Sequence, residues 1–223
     1  ANYIFSDDGG NTLITGTMTE LVTDTVLLNI GGLDCSMADP GGTTGNECGQ
    51  QQPSSDCSTA PCICDPYTFQ ISPSGLGVVY EIPSPGSVSN PSYGPASPSP
   101  WGGSDFGCLL AGELNSNWMM FTIANDGVLE FTIGAGGQQV GFYDWEMWAY
   151  NGVSTCTNIA NNSLSPVRCV WNAVSFGGTG ISNVIPAGGN AGNYGPGLAV
   201  TAGQQFIICL SNWSYVNASV TID

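Results

Sequence analysis

Short runs of β-branched and aromatic residues, each bounded by Gly, Pro, Asn or Asp, recur along this chain and constrain its fold more than any other feature. Apolar runs of this length predict strands, whereas a helix needs a longer stretch with a 3.6-residue period. The 32 glycines among 223 residues supply the positive φ angles that turns need. We therefore expect an all-β fold, an antiparallel two-sheet β-sandwich of the jelly-roll type, without a convincing helix.

Eight such runs predict the strands of the main domain. They span residues 67–71, 77–82, 118–123, 128–133, 142–150, 198–200, 205–210 and 218–222. Asp126-Gly127 is a strong turn signal between the third and fourth runs, so we expect these two to form a hairpin.

Composition divides the chain into three parts. Residues 1–33 read as an N-terminal β arm, with strand character at 12–19 and 21–30. Residues 34–55 form a linker rich in Cys and Gly. Residues 56–223 form the β-sandwich domain, which carries a Pro- and Ser-rich loop at 83–100 with six prolines in eighteen residues. Because proline donates no ladder hydrogen bond, that loop is not a central strand.

The charge balance excludes several classes of function. The chain has 17 acidic residues and one basic residue, Arg168, with no Lys or His, for a formal charge of −16. Such a chain repels nucleic acids and anionic membrane surfaces. It also lacks the usual general bases and activated nucleophiles, so we predict that it is not an enzyme. The alternative is glycoside hydrolysis by paired carboxylates from Glu113, Asp144 and Glu146.

Nine cysteines indicate an oxidising compartment, and the start at Ala1 without Met predicts a mature, secreted chain whose leader has been removed. A zinc site is the rival interpretation, but paired C-x-x-C spacing and His are both missing. Cys156 and Cys169 bracket a short excursion and are expected to be bridged, and Cys57 with Cys64 is a second expected pair. Most of Cys35, Cys48, Cys57, Cys62 and Cys64 are expected to pair among themselves or with Cys108 and Cys209, and Cys156 and Cys169 complete the disulfide candidates. The odd count leaves at least one thiol unpaired or bridged to another chain.

Ligand sites are suggested by three residue types. Asp144 and Glu146 fall on one face of a predicted strand, where they either bind calcium or stay solvated; no other cofactor is predicted. Exposed tryptophans stack on sugars, whereas buried ones pack the core, and the glycan-binding candidates are Trp101, Trp148 and Trp213. Sequons make Asn161, Asn212 and Asn217 the glycosylation candidates.

Several linked motifs resemble a module of large cell-surface and gliding-motility-associated, adhesin-like proteins of bacteria with type IX secretion. The stretch Gly107-Cys108-Leu109 is followed at 112–122 by GELNSNWMMFT, which matches the module's GCL … GE-x-NS-x-W-x-x-FT pattern. The YDW at 143–145, the PVRC at 166–169 and the segment from Asp56-Cys57 to the YTF at 67–69 fit in the same order. The resemblance covers about residues 56–223 and implies a surface-exposed β-sandwich used in adhesion or surface architecture.

These observations together predict an extracellular structural protein, a subunit of a surface filament or layer. The N-terminal arm is expected to exchange a strand with a neighbouring copy, so the principal partner is the chain itself, and surface glycans are a further candidate partner. The alternative function is a monomeric carbohydrate-binding or adhesive surface module. No nucleic-acid partner and no membrane insertion are expected, since no apolar run approaches the length of a membrane helix.

Overall fold

The computed structural model describes residues 52–63, 67–82, 107–109, 111–134, 141, 143–172 and 174–223, together with the backbone of two N-terminal strands. The described strands are β1 (Asn2–Ser6), β2 (Thr12–Thr17), β3 (Tyr67–Ile71), β4 (Ser116–Thr122), β5 (Gly127–Leu129), β6 (Phe131–Ile133), β7 (Tyr143–Ala149), β8 (Arg168–Val170), β9 (Thr179–Ile181), β10 (Tyr194–Gly195), β11 (Leu198–Val200), β12 (Gln205–Asn212) and β13 (Ala218–Ile222).

The strands form two large sheets, which confirms an all-β chain. One sheet has five strands in the order β10-β9-β6-β13-β3, and the other has four in the order β4-β12-β7-β8. Strands β5 and β11 form a separate antiparallel pair. The five-stranded sheet is mixed, because β9 and β10 run parallel. The expectation of purely antiparallel pairing was wrong at this edge.

One hydrophobic core draws side chains from both large sheets. In β3 burial alternates strictly, with Tyr67, Phe69 and Ile71 inside and the residues between them exposed. The four-stranded sheet contributes Trp145, Ile208 and other residues to the same cluster. Because alternate side chains point to opposite faces of a sheet, this pattern brings one face of each sheet to a shared interior.

The opposite face of the four-stranded sheet is buried as well. Trp118 of β4 and Trp148 of β7 stack there with ring centroids 5.7 Å apart. A 3₁₀ turn at Cys57–Thr59 and a seven-residue helix, α1 (Ser154–Ala160), contribute to this second cluster. We call this buried side the covered face. The helix was not predicted, since its seven residues are too few to show a helical period.

Two strand predictions were wrong. The predicted hairpin at 118–133 does not form, because β4 pairs with β12 whereas β5 pairs with β11. The predicted strand at 77–82 is irregular. Gly77 has φ +76°, and Asp56 Oδ1 accepts hydrogen bonds from the N–H groups of Val78 and Val79, both at 2.7 Å. These side-chain contacts take the place of a strand ladder, and the segment ends with Ile82 buried on the covered face.

The N-terminal strands pair with each other. β1 and β2 form an antiparallel two-stranded sheet in which Tyr3 lies opposite Gly16 and Ile4 opposite Thr15. The rest of the predicted arm, the linker at 34–55 apart from its last residues, and the loop at 83–100 lie outside the described residues.

Candidate functional site

Acidic side chains converge on the covered face, where the sequence predicted solvated acids. Strand register places Glu146 of β7 between Cys209 of β12 and Cys169 of β8. Two residues earlier, Asp144 lies opposite Ser211. Ionised carboxylates are almost never fully buried unless they are paired or hydrogen-bonded. The partners of each carboxyl group therefore decide what the site does.

Glu113 is fully buried and accepts hydrogen bonds from several segments. Its Oε1 accepts from the N–H groups of Glu81 at 2.5 Å and Ile82 at 3.2 Å. Its Oε2 accepts from Ser116 Oγ at 2.8 Å and Trp118 Nε1 at 3.1 Å. Burial is the largest influence and raises the pKa of Glu113, while these donors act in the opposite direction. Glu113 thus joins the segment at 81–82 to the start of β4.

Glu81 is the second member of the cluster and is only 3% exposed. Its Oε1 accepts a hydrogen bond from the N–H of Cys57 at 2.9 Å, whereas its Oε2 is buried with no hydrogen-bond partner among the described residues. Burial, reinforced by the neighbouring Glu113, raises the pKa of Glu81. Glu113 accepts more hydrogen bonds than Glu81, so its ionised form is the better stabilised of the two.

Glu146 fixes the segment that carries Cys108. Its Oε1 accepts from the N–H groups of Cys108 at 2.5 Å and Leu109 at 2.9 Å. A Cβ added at Gly107 would overlap the carboxyl group of Glu146. Glycine is therefore required here by the close approach of backbone and carboxylate, not by an unusual φ angle.

Asp144 completes the set near the start of β7. Its Oδ1 accepts from the backbone N–H of Asn172 at 2.7 Å, and burial raises its pKa to about 7. The side-chain amide of Asn172 is buried without a hydrogen-bond partner among the described residues.

Arg168 does not neutralise these acids. Its guanidinium donates to the carbonyl oxygens of Val167, Pro196 and Gly197 at 2.7, 3.2 and 3.1 Å. Desolvation lowers its pKa. The acidic cluster is consequently held by neutral donors, chiefly backbone N–H groups.

Two disulfides bracket the cluster and correct the predicted pairing. Cys57 is bonded to Cys156, and Cys108 to Cys169, across 99 and 61 residues of sequence. The expected bridges Cys156–Cys169 and Cys57–Cys64 are therefore wrong. Cys62 is disulfide-bonded as well. Cys209 is a buried thiol whose Sγ lies 3.9 Å from Glu113 Oε2. Cys35, Cys48 and Cys64 lie outside the described residues.

The arrangement does not support the predicted calcium site. Asp144 and Glu146 are both buried, and one oxygen of each already accepts hydrogen bonds from backbone N–H groups. Calcium requires six to eight oxygen ligands, roughly, in an accessible site. Among the described residues, Cys108, Glu146 and Cys169 lie close enough to hold a metal, but the two cysteines share a disulfide and offer no thiolate.

The glycan-binding candidates differ in their exposure to solvent. Trp148 is buried at 2% exposure, so its assignment as a sugar platform was wrong. Its neighbour on the opposite face, Trp145, is also core. Trp213 is 49% exposed and stays a candidate, while Trp101 lies outside the described residues.

The predicted glycosylation sites also differ in their exposure to solvent. Asn212 is fully buried, and its amide bonds to both backbone groups of Val216, so it is inaccessible to modification in the folded chain. Asn161 and Asn217 are exposed.

A groove of about 550 Å³ lies away from the carboxylates, beside β11 and the start of β12. Its lining comprises Ala149, Tyr150, Asn151, Val167, Leu198, Ala199, Ala202, Gly203, Gln204, Gln205 and Phe206. The described residues that line it include no carboxylate, thiol or cation, so none of the candidate acids among them faces the groove.

No protein-family model, curated protein or solved structure matches this chain. None of the helices in the described part of the chain has the length and apolarity needed to cross a membrane.

Sequence reasoning missed Glu81 and Asn172 and placed the acids of β7 in solvent. The available signal was the Gly-Cys-Leu at 107–109 and the Gly-Glu at 112–113, whose glycines permit close approach to another group. That signal shows a crowded backbone but does not reveal which carboxylate approaches it.

Proposed function

We propose that this chain is an extracellular structural protein, a two-sheet β-sandwich subunit of a surface filament or layer that assembles through its N-terminal arm. The observation that carries the proposal is the separate pairing of β1 with β2. In the described part of the chain, these strands form their own two-stranded sheet and extend neither large sheet.

An isolated hairpin is marginally stable in water and gains stability by packing on or extending another sheet. The two large sheets offer edges to extend. β3 and β10 are the edge strands of the five-stranded sheet, and β3 is the longer at five residues against two. In the four-stranded sheet, edge strand β4 is already bridged by Ser54 and Cys62, and edge strand β8 has only three residues. We therefore assign β3 of a neighbouring copy as the acceptor of the arm. Such a head-to-tail contact propagates into a filament when its rotation does not close a ring.

The buried carboxylates favour a structural role over a catalytic one. Glu113 and Glu146 are fully buried and accept hydrogen bonds from backbone N–H groups, which holds surface segments onto the covered face. The disulfide Cys108–Cys169 fastens one of these segments, and Cys57–Cys156 ties the 3₁₀ turn to α1 on the same face. This is consistent with an extracellular site, where disulfides persist. The proposal also holds that the chain has no enzymatic activity and that it is related to surface adhesin modules.

Negative-stain microscopy of the purified chain tests the assembly. We expect filaments or layers from the intact chain, more readily at pH 5 than at pH 8 because protonation reduces the repulsion of a chain with formal charge −16. The chain lacking residues 1–30 should stay monomeric. Ile4→Pro, which removes one N–H of β1, should also block assembly, whereas the control Ile4→Val should not. Truncated chains that form the same polymers as the intact protein would refute the arm as the connecting element.

A further inference from the structure

The turn between β12 and β13 displays two large aromatic side chains to solvent. Trp213 is 49% exposed and Tyr215 is 59% exposed, and only Ser214 separates them. By contrast, Trp118 and Trp145 are fully buried. Two exposed rings in one short turn form a concentrated apolar surface of the kind that marks a binding site.

Hydrogen bonds of the buried Asn212 side chain hold the turn in one conformation. Asn212 is fully buried, its Nδ2 donates to the carbonyl oxygen of Val216 at 2.8 Å, and its Oδ1 accepts from the N–H of Val216 at 3.0 Å. Its own carbonyl oxygen accepts from the N–H of Tyr215 at 3.2 Å. The rings are therefore presented from a preorganised backbone, which reduces the entropy lost when a ligand binds.

The backbone at Tyr215 carries strain that packing does not explain. Its φ is +56°, in the left-handed region that glycine and asparagine occupy far more readily than an aromatic residue. The ring is mostly exposed, so it contributes little to the core. Strained residues of this kind concentrate at ligand-binding positions, where the side chain itself is needed.

The described residues beside the turn offer amide and hydroxyl groups. Gln70 Nε2 donates to Asn217 Oδ1 at 3.0 Å, and the backbone N–H of Gln70 donates to Gln52 Oε1 at 2.7 Å. On the same two strands, Thr68 Oγ1 and Thr221 Oγ1 are hydrogen-bonded at 2.9 Å. These residues offer neutral donors and acceptors and no cation to attract an acidic group.

We propose that the Trp213–Tyr215 turn, with the neighbouring amides of Gln70 and Asn217, is a binding site for uncharged polysaccharide. The C–H faces of sugar rings pack on the exposed indole and phenol, and the amides bond sugar hydroxyls. The formal charge of −16 disfavours acidic polysaccharides, so neutral ones are the ligand class. The site is independent of the N-terminal arm and goes beyond the structural role proposed above.

Affinity electrophoresis of the intact chain in native gels above pH 8 tests the proposal, because the formal charge of −16 disfavours assembly there and drives migration. A gel without polysaccharide gives the reference mobility of every variant. The probes are dextran, mannan, xylan and galactan, with alginate as the acidic control. At least one neutral polysaccharide should retard the intact chain, and alginate should not. Trp213→Ala should weaken that retardation at least tenfold, which corresponds to a loss of about 1.4 kcal/mol.

Tyr215→Gly separates binding from folding. Glycine accepts the positive φ, so this variant should unfold at the same or a higher temperature than the intact chain and still lose retardation. Phe176→Ala is the matched control, since Phe176 is also 59% exposed but lies in a different loop. Retardation by none of the neutral probes, retardation by alginate alone, or equal retardation of all variants would overturn the proposal. The first result would point to a protein partner, and the last would place polysaccharide binding elsewhere on the chain.

Discussion

The carboxylate of Glu146 accepts a hydrogen bond from the backbone N–H of Leu109 at 2.9 Å, so an interior strand of the four-stranded sheet holds a segment that lies over it. Glu113 holds Ile82 in the same way. Residues 82 and 109 flank the Pro- and Ser-rich part of the chain. Two buried glutamates thus fix the segments on either side of that excursion, which gives these acids a structural purpose.

Gly107→Ala should destabilise the fold by about 1–3 kcal/mol, the usual cost of forcing extra volume into a packed site. The added Cβ would displace the Glu146 carboxylate from its backbone donors. Chemical denaturation measures the free energy of unfolding. Gly127→Ala is the matched control, because a Cβ there meets nothing within 4 Å, and it should be nearly neutral. Equal effects of the two substitutions would show that the contact with Glu146 is unimportant.

Trypsin can test the disulfide pairing, since Arg168 is the one basic residue in the chain. In urea without reductant, cleavage after Arg168 should leave the two fragments joined through Cys108–Cys169. Cys108→Ser should release them, whereas Cys156→Ser should not, because the Cys57–Cys156 bridge lies within one fragment. Release by Cys156→Ser alone would instead support a bridge between Cys156 and Cys169.

Stability should fall as the pH rises from about 4 to about 7. Burial raises the pKa of Asp144 to about 7, so the folded chain keeps a proton that the unfolded chain loses near the ordinary Asp pKa of about 4. The raised pKa values of Glu81 and Glu113 act with the same sign. Thermal unfolding at pH 5 and pH 8 measures the effect, and Asp144→Asn should reduce it.

High salt provides the control for this pH dependence. Repulsion among exposed acids is screened by salt, whereas the desolvation of buried carboxyl groups is not. The difference in unfolding temperature between pH 5 and pH 8 should therefore persist at high ionic strength. A difference that vanished in salt, or an unfolding temperature that rose with pH, would contradict the assignment to buried groups.

The strands whose pattern reflects local burial were predictable. β3, β7, β11, β12 and β13 lie where apolar and β-branched runs placed them. The pairing of those strands was less accessible to sequence reasoning. The run at 128–133 divides at Glu130, whose Oε1 accepts from the N–H of Asn183, and its halves join different sheets. A local turn signal at Asp126-Gly127 does not reveal such a long-range contact.

The covered face was not predictable for a physical reason. Sequence rules place Asp and Glu in water because burying a carboxylate is costly, and the donors that offset the cost here are chiefly backbone groups. Glu113 and Glu146 depend on N–H groups at 81–82 and 108–109, which every sequence possesses. Disulfide partners are equally invisible in sequence, as the 99-residue separation of Cys57 and Cys156 illustrates.

Thr68→Pro should block assembly without unfolding the subunit. The N–H of Gln70 in β3 points away from β13, since it donates a hydrogen bond to the side chain of Gln52. The N–H of Thr68, two residues earlier in the same strand, points in the same direction. Proline at 68 therefore removes a donor from the outer edge and leaves the internal ladder in place. Light scattering should show monomers with an unchanged circular dichroism spectrum. Thr68→Val is the control, and normal polymers from the proline variant would exclude β3 as the acceptor edge.

Binding of the arm in trans tests the central claim most directly. A labelled peptide of residues 1–30, which contains no cysteine, is titrated with the chain of residues 31–223, and fluorescence anisotropy reports the complex. Assembly by strand exchange predicts saturable binding of one peptide per chain, with no binding of a peptide of the same composition in scrambled order. Thr68→Pro in the acceptor chain should abolish that binding. A peptide that stays unbound at concentrations at which the intact chain polymerises would contradict assembly through the N-terminal arm.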